Sequence, residues 1–136
     1  MLQHHREYVL AQQRKWQEHL AKLDKKIDGN GGTKVIHSLN KVAPDLGKYI
    51  IEFAFGDIYT RPTLTLQERE MITITSLLTA GGCESQLRVH LNASLNVGIP
   101  QTKIVETFIQ CIPYVGFPRV LNAINVAKEV FENRKD

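Results

Sequence analysis

Apolar residues recur along this chain at helical spacing, and nowhere with the alternation and hairpin turns that mark strands. Between Gln3 and Ile27 most positions are polar, yet Val9, Trp16, Leu20, Leu23 and Ile27 follow one another at steps of seven, four, three and four. That predicts a long helix with one narrow apolar stripe, suited to packing against another subunit or across the domain. Gly29-Asn30-Gly31-Gly32 predicts its end, because glycine leaves the helical conformation at little cost. A short helix with Val35, Ile36, Leu39 and Val42 on one face is expected before Pro44. Asp45 is then the expected cap of a helix whose apolar positions are Leu46, Ile50, Phe53, Ala54 and Ile58.

The segment Tyr59 to Leu64 reads as a break, since Pro62 disfavours helix at Arg61. Thr65-Leu66-Gln67-Glu68 fits a capping box, with Thr65 as the cap and Glu68 reaching back to it. The helix it opens, through about Thr79, is apolar or threonine-bearing nearly all round after Glu70, which predicts a central position. Gly81-Gly82 ends it. The next helix runs from about Cys83 to Val97, stopped by Gly98. Pro100 starts another, carrying Ile104, Val105, Phe108, Ile109 and Ile112, which Pro113 is expected to end or kink. Pro118 opens the final helix, with Val120, Leu121, Ile124 and Ala127 facing inward. The expected architecture is all-α and a single domain: residues 1–32 form an N-terminal helix and glycine-rich turn, and 33–136 the helical body.

Composition narrows the class. The 136 residues suit one domain of the usual ~100–200. At 43% hydrophobic and 23% charged, the chain is ordinary for a globular protein and unlike a disordered one. A net charge of +3 without Lys/Arg clusters gives no reason to expect nucleic acid. Two cysteines make no disulfide scaffold, no apolar run is long enough to span a membrane, and no export signal is visible. A cytoplasmic location is the resulting expectation.

Chemistry concentrates on the helix after Cys83. At about 100° per residue, Cys83, Gln86 and His90 fall on one largely apolar face. Glu84 and Arg88 lie opposite, spaced as an i,i+4 ion pair. A nucleophile or acid on the first face would work in a desolvated setting. The plainer alternative stands beside it: a histidine on an apolar face is often a hydrogen-bonded core residue, and a buried cysteine a small hydrophobe. Cys111 takes the latter reading. Glu52 and Glu70 are each either a site carboxylate or a solvated edge residue, and Arg61 either a surface charge or an anion clamp. No CxxC, glycine-rich phosphate loop or His-x-x-x-His is present, and His4-His5 alone is no metal site.

Several segments, in order, resemble carboxymuconolactone decarboxylases. They are Ile50-Ile51-Glu52-Phe53-Ala54-Phe55-Gly56-Asp57-Ile58-Tyr59-Thr60-Arg61-Pro62, Glu68-Arg69-Glu70, Gln86-Leu87-Arg88-Val89-His90 and Asn96-Val97-Gly98-Ile99. Ile104-Val105-Glu106, Tyr114-Val115-Gly116-Phe117-Pro118 and Leu121-Asn122-Ala123 complete the set. The resemblance implies an alkyl hydroperoxidase D-like helical bundle that assembles with copies of itself, as a trimer or hexamer. It also implies work on a small anionic substrate without a cofactor. That superfamily holds two chemistries: decarboxylation of 4-carboxymuconolactone in aromatic catabolism, and thiol peroxide reduction of the peroxiredoxin kind.

The peroxidase pattern Cys-x-x-Cys-x-x-x-His reads here as Cys83, Gln86 and His90, so the second cysteine is missing and no two-cysteine cycle is available. The decarboxylase pattern keeps Glu52, Arg61, Arg88 and His90. It departs at Phe55, Tyr59, Thr63, Ser85, Gln86, Pro113 and Arg119. The expectation is a decarboxylase in which His90 is the general acid, Glu52 or Glu70 orients its imidazole, and Arg61 clamps a carboxylate. Arg88, Gln86 and Tyr114 are the further candidate substrate contacts. Two alternatives stay open: a one-cysteine thiol peroxidase using Cys83 with His90, and an inactive or accessory oligomeric relative that binds a small anion.

Overall fold

The computed structural model describes residues 2–8, 10, 11, 14, 18 and 31–134, and among these there is no strand. The described residues up to 18 are helical. The stripe residues Val9, Trp16, Leu20, Leu23 and Ile27 lie outside the described residues, as does Gly29-Asn30. The chain divides into two compact units, Met1–Lys26 with Asn30–Pro62, and Ile27–Gly29 with Thr63–Asp136.

In the first unit, Gly31–Leu39 forms α1 and Pro44–Tyr49 forms α2. Gly31 and Gly32 therefore open a helix, where the glycine cluster was expected only to end one. The cap of α2 is Ala43 and not Asp45, because Pro44 takes the first helical position, where its fixed φ suits the helix and its missing N–H costs nothing. At Gly47 the two helices approach closely: a Cβ there would sit 3.4 Å from Ile36 Cγ2. From Ile50 to Ile58 the helix continues as a π-helix, closed by Tyr59 N–H donating to the Ala54 carbonyl at 3.0 Å, an i→i+5 bond. The wider turn breaks the 3.6-residue period, so the stripe expected from Leu46 to Ile58 does not form one buried line. Leu46, Phe53 and Ile58 are exposed.

The second unit holds α3 (Leu66–Ala80), α4 (Glu84–Asn96), α5 (Gln101–Val115) and α6 (Phe117–Asn133). The capping box forms in full: Thr65 N–H donates to Glu68 Oε2 at 2.9 Å, and Glu68 N–H donates to Thr65 Oγ1 at 3.1 Å. α3 packs against each of the other three helices. Its polar side chains fit that central place by bonding within the helix. Thr73, Thr75, Ser76 and Thr79 each donate to the carbonyl four residues earlier, all at 2.8 Å. The core gathers Ile74 and Leu78 of α3, Leu87 and Leu91 of α4, Ile104 and Phe108 of α5, and a run of small apolar residues from Val120 to Val130 on α6.

Pro113 neither ends α5 nor separates it from its last turn, and the helix runs on to Val115. A proline this close to the C-terminus removes one bond, while Gly116 N–H still donates to the Ile112 carbonyl at 3.0 Å. The stop comes at Gly116, whose φ of 87° suits glycine, and α6 starts at once with Pro118 in its first turn. No helix among the described residues is long and apolar enough to cross a membrane.

Two substitutions separate local from tertiary stabilisation in this unit. Thr65→Ala should cost about 1 kcal/mol, the usual worth of an N-cap. Phe108→Ala, which empties a fully buried site, should cost about 3–5 kcal/mol. Urea denaturation of both variants measures the difference.

Candidate functional site

The buried line of α3 runs Glu70, Ile74, Leu78, at steps of four, so the helix that builds the core also carries a carboxylate into it. Glu70 is 0% exposed. On α4 the buried line is Leu87, Leu91 and Ser94, and His90 lies at its border with a side chain 21% exposed. Because α3 and α4 pack together through a short connection, these two residues meet: His90 Nδ1 is 3.0 Å from Glu70 Oε2. With Glu70 as a carboxylate, which only accepts, Nδ1–H would be the donor. That arrangement would leave Nε2 as the nitrogen open to proton exchange. Ser94 Oγ donates to the His90 carbonyl at 2.7 Å, tying the local backbone into the same helix.

The other candidates stand as follows within their own units. Glu70 is within hydrogen-bond distance of His90. Glu52 is exposed on the π-helix. Cys83 is the residue just before α4, partly buried, with Sγ 3.5 Å from the Gly81 carbonyl. Gln86 is four residues before His90 on the same side of α4, but it is exposed, since it stands in the first turn of the helix. Arg88 pairs with Glu129 of α6 at 2.8 Å and not with Glu84, because α6 packs alongside α4 and presents a carboxylate there. Arg61 is exposed in the turn after the π-helix, its N–H donating to the Ile58 carbonyl at 3.2 Å. Tyr114, in the last turn of α5, is 80% exposed. Cys111 is buried, with Sγ 3.3 Å from the Thr107 carbonyl.

Arg69 went unnoticed as a candidate and is buried, directly preceding Glu70. Nothing in the spacing separates it from an exposed first-turn arginine. For Glu70 a signal did exist, its four- and eight-residue register with Ile74 and Leu78. Among the described residues, no three His, Cys, Asp or Glu side chains come together as metal ligands.

The described residues thus form a helical frame that presents a buried carboxylate and a partly buried histidine in hydrogen-bond contact. Residues 44–129 match the family described as the carboxymuconolactone decarboxylase family, an all-α, alkyl hydroperoxidase D-like fold, and the chain belongs to it. It is 36% identical over 98 residues to the 4-carboxymuconolactone decarboxylase of Acinetobacter baylyi, covering 72% of each chain. It is 27% identical over 97 residues to an uncharacterised 15.0 kDa protein of Paracoccus denitrificans, covering 71% of this chain and 72% of that one. A nitrosuccinic acid decarboxylase of Metarhizium robertsii is 25% identical over 87 residues, covering 64% of this chain and 60% of that one.

The Arg88–Glu129 pair is half exposed on both sides, and such pairs are worth about 0–1 kcal/mol. Arg88→Ala should therefore shift the thermal midpoint by no more than a few degrees. A larger drop would show that the pair holds α4 to α6.

Proposed function

We propose that the protein is a carboxy-lyase acting without a cofactor on 4-carboxymuconolactone or a related small lactone acid, with His90 as the general acid. The observation that carries this reading is the 3.0 Å contact between His90 Nδ1 and the fully buried Glu70, in a chain 36% identical to a 4-carboxymuconolactone decarboxylase. In the reaction the bond between the ring carbon and the carboxylate breaks and CO2 leaves. The electron pair left behind is delocalised into the unsaturated lactone as an enolate, and a proton is added to carbon. His90, held through Nδ1 by Glu70, delivers that proton from Nε2 and is reprotonated from solvent. Glu70 keeps the imidazole in the tautomer and orientation the transfer needs, and its charge stabilises the imidazolium that does the donating.

Arg61 is assigned the substrate carboxylate on residue type, since a guanidinium holds a carboxylate through two parallel bonds. The name of the Metarhizium relative fits the same substrate class. A nitro group, like an unsaturated lactone, is an electron acceptor that can take up the pair released with CO2.

Freshly generated 4-carboxymuconolactone, followed by NMR, tests the reading. Wild-type protein should convert it well above the spontaneous rate. His90→Ala should lose about 10²–10⁴ of that rate, the usual contribution of a positioned acid. Cys83→Ser should convert as wild type does. No conversion above background would overturn the assignment. Hydroperoxide consumption that disappears in Cys83→Ser would replace it with the thiol peroxidase.

A protonated donor also sets the sign of the pH dependence. Turnover should fall as pH rises through the titration of His90, and the same limb should be missing from the residual rate of His90→Ala. A stopped-flow pH profile of both proteins checks it.

A further inference from the structure

Glu70 and His90 stand on opposite sides of a two-glycine connection. α3 ends at Gly81, with φ of 70°, Gly82 follows with φ of 71°, and α4 begins after Cys83. Glycines in this region are the least restrained links a chain can place between two helices. His90 lies seven residues beyond Cys83, about 10 Å along the helix at ~1.5 Å per residue. A rotation of about 5° at the connection therefore moves the imidazole by about 1 Å, enough to take a 3.0 Å contact outside hydrogen-bond range. Packing of α4 on α3 resists such a rotation along the helices, but the connection itself needs its own restraint.

Arg119 supplies one. It stands in the first turn of α6, is exposed, and donates from Nη1 to the carbonyl of Thr79, one of the last carbonyls of α3. Its guanidinium also lies flat against the connection: a Cβ built on Gly81 would sit 3.5 Å from Arg119 Cζ and 3.6 Å from Nε and Nη1. Arg119, Gly81, Cys83 and Glu84 line one small depression over Leu78 and Leu87, so the side chain from α6 that bonds the end of α3 also faces the space beside the start of α4. A cation at this place is also favoured by the negative end of the α3 dipole. Arginine here is one of the points at which the sequence departs from the family pattern.

We propose that Arg119 is a positioning residue of the site: it straps the Gly81-Gly82 connection and so holds α4 at the angle that keeps His90 on Glu70. The effect on turnover rests on His90 being the proton donor; the effect on the Glu70–His90 contact does not. Arg119 is exposed, so replacing it opens no cavity in the core. The test compares Arg119→Ala and Arg119→Lys with wild type by two readouts. One is the 15N and 1H spectrum of the His90 ring, which reports the tautomer and the Nδ1–H bond. The other is decarboxylation of 4-carboxymuconolactone.

Arg119→Ala should lose the single tautomer and the downfield Nδ1–H signal. Its kcat should fall by about 10–100-fold, the scale of a ~1 Å misplacement, with KM within about twofold. Arg119→Lys should recover most of both, because an ammonium can donate to the Thr79 carbonyl. Unchanged ring signals in Arg119→Ala overturn the proposal. So does a loss of activity that merely follows the folded fraction while the folded molecules keep wild-type ring signals. Should the wild type turn over no lactone, the ring spectrum alone decides: altered signals in Arg119→Ala support the strap, and unaltered ones exclude it.

Discussion

The contact between Glu70 and His90 is the constraint around which the second unit is organised. A carboxylate with no exposure loses several kcal/mol of hydration, which protein groups must replace. His90 supplies a hydrogen bond in return, and its half-buried ring stands at the edge of the core where protein and solvent meet. Each partner thus depends on the other's helix being in place. Breaking the pair from one side would take a hydrogen bond from a buried carboxylate, which is costlier than never having built the pair. The same contact orients the imidazole, so one interaction joins the packing of α3 and α4 to the placement of the ring.

That dependence explains why α3 is so uniform. It touches α4, α5 and α6, and its threonine and serine hydroxyls are bonded to its own backbone. A central helix with polar side chains reaching elsewhere would need partners on three neighbours at once. Satisfying those hydroxyls internally leaves Glu70 as a buried group of the helix that reaches outward to a partner on α4, and so sets the register of the two helices.

Local chemistry made much of the fold legible in the sequence. Thr65 and Glu68 form the box their spacing announces, Gly98 and Gly116 stop helices where glycine is needed, and Pro118 stands in a first turn. Each of these is decided within about four residues. What was not legible depended on competition or on tertiary neighbours. Pro44 displaced Asp45 from the cap, Pro113 fell too near a helix end to break it, and nothing in Ile50–Ile58 distinguishes a π-helix from an α-helix by period. His90 stands out by type and setting, whereas its contact with Glu70 depends on the packing of α3 on α4, which no local spacing encodes. Cys83 leaves the wheel that Gln86 and His90 share, because it precedes the helix with a φ of −115° and ψ of 31°.

Arg88 and Arg119 show how the same residue type takes different weight from its surroundings. Arg88 spans two packed helices through an exposed pair, where solvent screening leaves little energy and the helices are already held by Leu87 and Leu91. Arg119 is exposed as well, yet its guanidinium meets a helix end and a glycine connection, places with no side chain of their own to fix the angle. An interaction matters to geometry in proportion to the freedom it removes, not to the energy it contributes. The Gly81-Gly82 connection is such a place, and it joins the two helices that carry Glu70 and His90.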